Sequence, residues 1–177
     1  MRQPSDPSRL AVALISTGGT IEKTYDEFEG ILSNRVSVLE VMLSQLQLGG
    51  VEIEQIPLMN KDSLDMSAAD HDLVAREAHA RARARDYDGV IIIHGTDRLA
   101  ETGERIHELD PSPSVPIILT GAMRPYALRA TDAMQNLTEA LLAVQLAAPG
   151  VYVAMHNRLL AFPGVRKDRE NGTFLPG

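Results

Sequence analysis

Cysteine is absent from this chain of 177 residues, and lysine is scarce, occurring only at Lys23, Lys61 and Lys167. Without cysteine the chain has no disulfide bonds, no thiolate nucleophile and no cysteine-ligated metal. Long apolar runs are missing too, and runs such as residues 90–93 are far too short to cross a bilayer. These absences exclude thiol chemistry and predict a protein without a membrane span.

The overall composition is that of an ordinary globular protein, with 44% hydrophobic and 23% charged residues. A formal net charge of −7 argues against nucleic acid as a partner. The first ten residues, MRQPSDPSRL, contain no apolar segment of the kind that a secretory signal requires. We therefore expect a cytoplasmic protein, and the length predicts a single domain over residues 1–177.

Short apolar runs alternate with longer helical patterns along the chain. The predicted strands are residues 10–15, 51–58, 90–94, 115–119 and 151–155. Helices are predicted from a capping-box pattern at residues 37–40 to about residue 48, from Ser67 to about residue 85, and over residues 99–109 and 131–146. Residues 157–177 show no clear period. This order predicts an α/β domain, a parallel sheet with helices on both faces.

Polar, glycine-rich segments follow four of the predicted strands, at residues 16–20, 60–65, 94–97 and 120–122. In parallel α/β sheets, ligands bind at the carboxyl ends of the strands. Because these four segments then meet at one edge of the sheet, that edge is the predicted functional site.

The chemistry of two of these loops allows a functional and a structural interpretation. In residues 17–20 (TGGT) the glycines could expose amides to an oxyanion and the threonines could act as nucleophiles, or the loop could be a simple turn. Asp97 could bind an ammonium group or cap the next helix. His94 closes an apolar strand, which favours a core histidine. No histidine spacing or glycine motif indicates a metal, nucleotide or other cofactor.

Taken together and in this order, the four segments resemble those of the bacterial-type L-asparaginases. The matching stretches are residues 16–21 (STGGTI), 62–66 (DSLDM), 89–97 (GVIIIHGTD) and 120–125 (TGAMRP). The resemblance covers nearly the whole chain, and it implies the three-layer fold of the asparaginase N-terminal domain without the smaller C-terminal domain. It also implies a short-form enzyme, which we expect in preference to a fragment.

The resemblance assigns roles to individual residues. Thr20 matches the nucleophilic threonine, and Tyr25 matches a tyrosine on a mobile loop over the site. Thr96 and Asp97 match the second catalytic threonine and the aspartate that binds the substrate's amino group. The catalytic lysine is expected at Lys167, although its surroundings differ from the family pattern and a solvated surface lysine is the alternative. Substrate contacts are expected from Ser63, Gly19, Gly95 and Ala122.

The implied reaction is hydrolysis of L-asparagine to L-aspartate and ammonia through an acyl-threonine, with minor glutaminase activity and no cofactor. Tyrosine and lysine are both weak bases at neutral pH, since their reference pKa values are about 10. The order in which the two threonines act therefore stays open. A homodimer or homotetramer is expected from the resemblance. The alternatives are a non-catalytic amino-acid-binding domain and an amidase subunit that works with a partner.

Overall fold

The computed structural model describes residues 9–26, 30–33 and 38–177. The strands are β1 (Leu10–Ser16), β2 (Thr24–Asp26), β3 (Ile31–Ser33), β4 (Val51–Pro57), β5 (Gly89–Ile93), β6 (Pro116–Thr120), β7 (Gly150–Met155), β8 (Arg158–Ala161), β9 (Arg166–Asp168) and β10 (Thr173–Leu175). The α-helices are α1 (Leu39–Ser44), α2 (Ala68–Arg83), α3 (Leu99–Leu109) and α4 (Ala133–Leu146), and short 3-10 turns lie at Thr20–Glu22 and Ser63–Asp65.

Six strands form one sheet in the order β4-β1-β5-β6-β7-β8. The first five run parallel, and β8 is antiparallel to β7. The register brings Ser16 opposite both Pro57 and Ile93, and Ile93 opposite Thr120. The carboxyl ends of β4, β1, β5 and β6 are therefore level, which places the loops that follow them at one edge.

Helices cover both faces of this sheet. The side chains of β1 alternate, so that Ala13 and Ile15 pack with α2 and α3, whereas Val12 and Leu14 pack with α1 and α4. Strand β5 is buried on both faces, and this explains its uninterrupted apolar sequence. The predicted three-layer α/β fold is confirmed.

The boundaries agree with the sequence where local signals are strong. Ser67 and Asp70 form a reciprocal capping box at the start of α2, and α3 has the predicted bounds. Helix α1 ends at Ser44, short of the predicted residue 48, and Ser37 of its predicted capping box lies outside the described residues. The chain after residue 157, where no period was visible, contains β8 and the β9–β10 hairpin. None of the described helices is long and apolar enough to cross a membrane.

Candidate active site

Glycines let the loops at the carboxyl edge approach one another closely. Gly19 has a φ of 87°, and a Cβ built there would lie 2.5 Å from the amide nitrogen of Gly95. A Cβ on Gly95 would in turn lie 2.6 Å from the Ser63 hydroxyl oxygen, and one on Gly121 would overlap the His94 carbonyl. The four segments singled out in the sequence are therefore in mutual contact, as predicted.

A lysine and a carboxylate flank the hydroxyl of Thr96. The ammonium of Lys167 donates to Thr96 Oγ1 and to Asp97 Oδ1, both at 2.9 Å. Thr96 is buried, and the Lys167 side chain is only 13% exposed although it comes from an otherwise charged segment. The alternative of a solvated surface lysine at Lys167 is therefore wrong. Asp97 does not cap α3 either, because Arg98 occupies the N-cap position, and the Arg98 side chain makes no capping hydrogen bond.

Arg169 is a second cation on the same carboxylate. Its guanidinium donates to Asp97 Oδ1 at 3.0 Å, and its side chain is 68% exposed. Sequence reasoning missed this residue because residues 157–177 showed no period. Arg169 follows directly after β9, the three-residue strand that carries Lys167, and a strand this short gives no visible pattern.

The remaining predicted residues lie at the same edge with different exposures. Thr20 opens a 3-10 turn and is partly exposed, and its hydroxyl takes part in none of the described hydrogen bonds. Ser63 and Ala122 are each 1% exposed, so in this arrangement their side chains offer little surface to a ligand. Tyr25 on β2 is 62% exposed, and no described hydrogen bond joins it to Thr20. The role expected of Tyr25 stays a prediction.

An ion pair joins Lys23 to the loop after β4, which contributes Ser63 to the site. Lys23 donates to Asp62 Oδ2 at 2.6 Å, while Asp62 Oδ1 accepts from the amide of Leu64 at 3.1 Å. The Lys23 hydrogen bond lowers the pKa of Asp62, and the charge of Lys167 contributes in the same direction. Asp62 is therefore a carboxylate at neutral pH and orders the turn that contains Ser63.

The loop that contains Ala122 is held by a carboxylate that sequence reasoning did not single out. Asp132 accepts from the amides of Met123 and Arg124 at 3.0 and 2.9 Å, and from His156 Nε2 at 2.7 Å. Burial opposes ionisation, yet these hydrogen bonds outweigh it and the pKa of Asp132 is lowered. Four hydrogen-bonding groups converge on this carboxylate, since Asn136 Nδ2 also donates to it.

His94 is a buried histidine with both ring nitrogens engaged, as the sequence predicted. Nδ1 lies 2.8 Å from the Gly95 carbonyl oxygen, and Nε2 lies 2.8 Å from the Thr102 hydroxyl. Burial lowers the pKa of His94 to about 4, so the ring is neutral at pH 7. Among the described residues, no group of three or more histidine, aspartate or glutamate side chains could hold a metal ion.

The likeness of this α/β domain to known proteins identifies its family. Residues 11–173 match the family model described as Asparaginase, N-terminal. The chain belongs to the asparaginase family. The resemblance seen in its sequence is thereby confirmed.

Two relatives show how far this likeness reaches. The L-asparaginase of Thermococcus kodakarensis is 28% identical over 158 residues, 89% of this chain and 48% of that protein. Its solved structure superposes with a TM-score of 0.81 over 94% of this chain and 51% of the other. A glutamyl-tRNA(Gln) amidotransferase subunit from Aeropyrum pernix is 34% identical over 94% of this chain and 40% of that protein.

A structure described as a probable cytoplasmic L-asparaginase from Campylobacter jejuni is 30% identical, with a TM-score of 0.72 over 90% of this chain and 50% of the other. The chain thus spans about half the length of the asparaginases it matches and less of the amidotransferase protein.

Proposed function

We propose that this asparaginase-family chain hydrolyses the side-chain amide of L-asparagine to L-aspartate and ammonia, with minor activity on L-glutamine. The observation that carries the proposal is the contact of Lys167 with both Thr96 and Asp97, at the sheet edge that also holds Thr20. A surface lysine has no reason to be buried against a threonine hydroxyl, whereas an amidohydrolase needs a polarised hydroxyl and a fixed charge there.

The proposed first step is attack by Thr20 Oγ on the amide carbon of the substrate. The Oγ–C bond forms and the C–N bond breaks, and ammonia leaves with the proton that the hydroxyl loses. Water then attacks the acyl carbon, the C–Oγ bond breaks, and the proton returns to Thr20. No cofactor is needed for either step.

Accessibility supports Thr20 as the nucleophile and Thr96 as its assistant. Thr20 is partly exposed at the head of its turn, whereas Thr96 is 4% exposed and already accepts a hydrogen bond from Lys167. That bond leaves the Thr96 hydroxyl proton free to be donated to the leaving amide nitrogen, while Thr96 accepts the proton that Thr20 loses. The Lys167 ammonium stabilises negative charge that develops on Thr96.

The substrate's amino group is proposed to bind Asp97, a half-buried carboxylate at this edge. The amides of the turns at Gly19 and Gly95 are proposed to stabilise the oxyanion, because close backbone packing holds both turns rigidly. The neighbouring loops that contain Ser63 and Ala122 are proposed to complete the substrate site through their backbone groups, since both side chains are buried.

A second candidate function is that of an amidase component that acts with a partner protein. The 34% identity to a glutamyl-tRNA(Gln) amidotransferase subunit favours it. The two candidates differ in what the chain does alone. A free-standing asparaginase releases ammonia from L-asparagine without any partner, whereas a component of a complex reaches full activity only when its partner is bound.

Ammonia release from L-asparagine and L-glutamine by the purified chain tests the proposal. We expect release from asparagine, and a loss of roughly a thousandfold or more in Thr20→Ala and in Thr96→Ala, since residues that act as a unit lose activity together. Thr138→Ala, at an exposed position of α4, is the matched control and keeps wild-type turnover. Failure of the wild-type chain to release ammonia from either amino acid would overturn the proposal.

We further propose that residues 1–177 act as one catalytic domain in a cytoplasmic homodimer or homotetramer. Leu142 and Leu146 on α4 are 55% and 75% exposed and supply apolar surface for association. Sedimentation velocity at the assay concentration checks this, and a fully active monomer would contradict it.

A further inference from the structure

A continuous chain of buried hydrogen bonds runs from α2 through α3 to the loop that carries Thr96. His71 Nδ1 lies 2.6 Å from the Thr102 hydroxyl, and Thr102 lies 2.8 Å from His94 Nε2. His94 Nδ1 then lies 2.8 Å from the carbonyl oxygen of Gly95. All three side chains are buried, and the two imidazoles stack with centroids 6.3 Å apart.

The direction of every hydrogen bond in this network follows from the group at its end, the Gly95 carbonyl. The Gly95 carbonyl can only accept, so His94 Nδ1 carries the proton and Nε2 of the neutral ring is the acceptor. The Thr102 hydroxyl must therefore donate to His94, and His71 Nδ1 must donate to Thr102. Burial lowers the pKa of both histidines, which keeps both rings neutral.

These hydrogen-bond directions leave the lone pair of His71 Nε2 without a described donor. His71 Nε2 becomes an acceptor, it is buried, and none of the described groups donates to it. A buried acceptor without a donor costs free energy. The Glu101 carboxylate lies 3.8 Å from His71 Nε2 and is also an acceptor. The network therefore forms three buried hydrogen bonds and leaves one buried acceptor unpaired.

The chain of hydrogen bonds instead constrains the peptide that joins Gly95 to Thr96. Because this carbonyl is turned toward His94 and a trans peptide points its N–H the opposite way, the Thr96 amide is directed away from the imidazole. Gly95 is also packed against Gly19 and Ser63. One rotation of this peptide would move the Thr96 hydroxyl relative to Lys167.

We propose that Thr102 and His71 are positioning residues, which act through His94 to hold the Gly95–Thr96 peptide in the orientation that the Thr96–Lys167 contact requires. The effect that we expect on turnover rests on the proposed function. Thr102 is the key member, because its hydroxyl joins the two imidazoles and is the described donor to His94 Nε2. Without it, the lone pair of His94 Nε2 has no described donor, and the ring can turn away from the Gly95 carbonyl.

The same helix pair provides a matched control. His79 on α2 is 1% exposed, and its Nε2 lies 2.8 Å from the carbonyl oxygen of Ile106 on α3. It is thus a buried, hydrogen-bonded histidine in the α2–α3 interface whose partner does not belong to the loop at residues 94–97. His79→Asn should destabilise the interface without disturbing Thr96.

The kinetic test compares Thr102→Val, Thr102→Ser and His79→Asn in ammonia release from L-asparagine. Valine keeps the shape of threonine but removes the hydroxyl, and we expect kcat to fall about tenfold or more because small misplacements of catalytic groups are costly. KM should change less than kcat, and Thr102→Ser should restore most of kcat. His79→Asn should lower Tm but leave kcat unchanged. Unchanged kcat in Thr102→Val, or an equal loss in His79→Asn, would overturn the proposal.

A second measurement does not depend on activity. In nitrogen-15 NMR of histidine-labelled protein at pH 5.5, we expect His94 to be neutral with its proton on Nδ1. Thr102→Val should shift the His94 Nε2 resonance, because it removes the hydroxyl that donates to this nitrogen, and in uniformly labelled protein it should shift the Thr96 amide resonance; His79→Asn should do neither. A wild-type His94 protonated on Nε2 would overturn the positioning role of Thr102 and His71 even if turnover is normal. Conversely, if the wild-type protein shows the expected tautomer but no turnover, the proposed function is overturned and the hydrogen-bond network through Thr102 stands.

Discussion

Gly19 combines a backbone conformation and a packing position that exclude every side chain. Its φ of 87° with ψ of −176° is a region that only glycine enters readily, and the Gly95 backbone fills the space that a Cβ would need. The TGGT string was ambiguous in the sequence because nothing local distinguishes an ordinary turn from one that a distant loop packs against.

Gly19→Ala is expected to lower the free energy of unfolding by roughly 3 kcal/mol or more, and to abolish turnover, because both strain and overlap must be relieved. Urea denaturation measures the first and ammonia release the second. Gly172→Ala is the control: its φ is 59°, but no atom lies within 4 Å of the added Cβ. It should cost only about 1–2 kcal/mol and leave turnover intact. Equal effects of the two substitutions would show that the Gly19–Gly95 contact is unimportant.

The residues of the site differed in how far the sequence could predict them. Thr20, Thr96 and Asp97 follow strands with strong patterns, so their meeting at one edge could be expected from topology. Lys167 was found only through the family resemblance, and Arg169 was not found at all. Both lie in the segment that contains the β9–β10 hairpin, whose three-residue strands are too short to show a period.

Among the elements, those with buried, periodic sequences were predicted best. Strand β5 and helix α3 have one dominant pattern each, and Pro111 follows closely after the end of α3. Helix α1 is shorter than its sequence suggests, and β8 pairs with β7 across a turn at His156 and Asn157, both with positive φ. Such features depend on contacts between distant segments, which a single sequence does not reveal.

Helices α2 and α3 and strand β5 together make the protein sensitive to mild acid. The pKa of His94 is about 4 in the folded protein and about 6.5 in the unfolded chain, where the ring is solvated. Between these values the unfolded state binds more protons, so stability present above pH 6.5 is lost as the pH falls toward 4. The full difference amounts to about 3 kcal/mol. The lowered pKa of His71 acts in the same direction.

Urea denaturation at pH 7, 5.5 and 4.5 measures this loss. We expect most of the loss of stability to occur between pH 6.5 and pH 4.5. In this range the carboxylates with lowered pKa values, Asp62 and Asp132 among them, have not yet begun to accept protons in the folded protein. His94→Gln, which cannot titrate, should flatten the dependence between pH 6.5 and 4.5. A wild-type stability that is constant over that range would contradict the neutral, buried state of His94.

At the scale of the whole molecule, family membership and fold are established, and the activity is a proposal. The chain spans about half the length of its asparaginase relatives, yet the segments that build the carboxyl edge all lie within residues 16–169. The acidic net charge of −7 suits a small zwitterionic substrate better than a polyanion. The proposed activity of residues 1–177 without a partner requires that Thr20, Thr96 and Lys167 carry out both steps of the acyl transfer.

The most direct test is to trap the acyl-enzyme. Wild-type protein and Lys167→Met are mixed with L-asparagine, quenched in acid and digested for mass spectrometry. We expect one added aspartyl group on the peptide that contains Thr20, enriched in Lys167→Met because water attack is slowed. An aspartyl group on the peptide that contains Thr96, or ammonia release with no adduct in either protein, would contradict it.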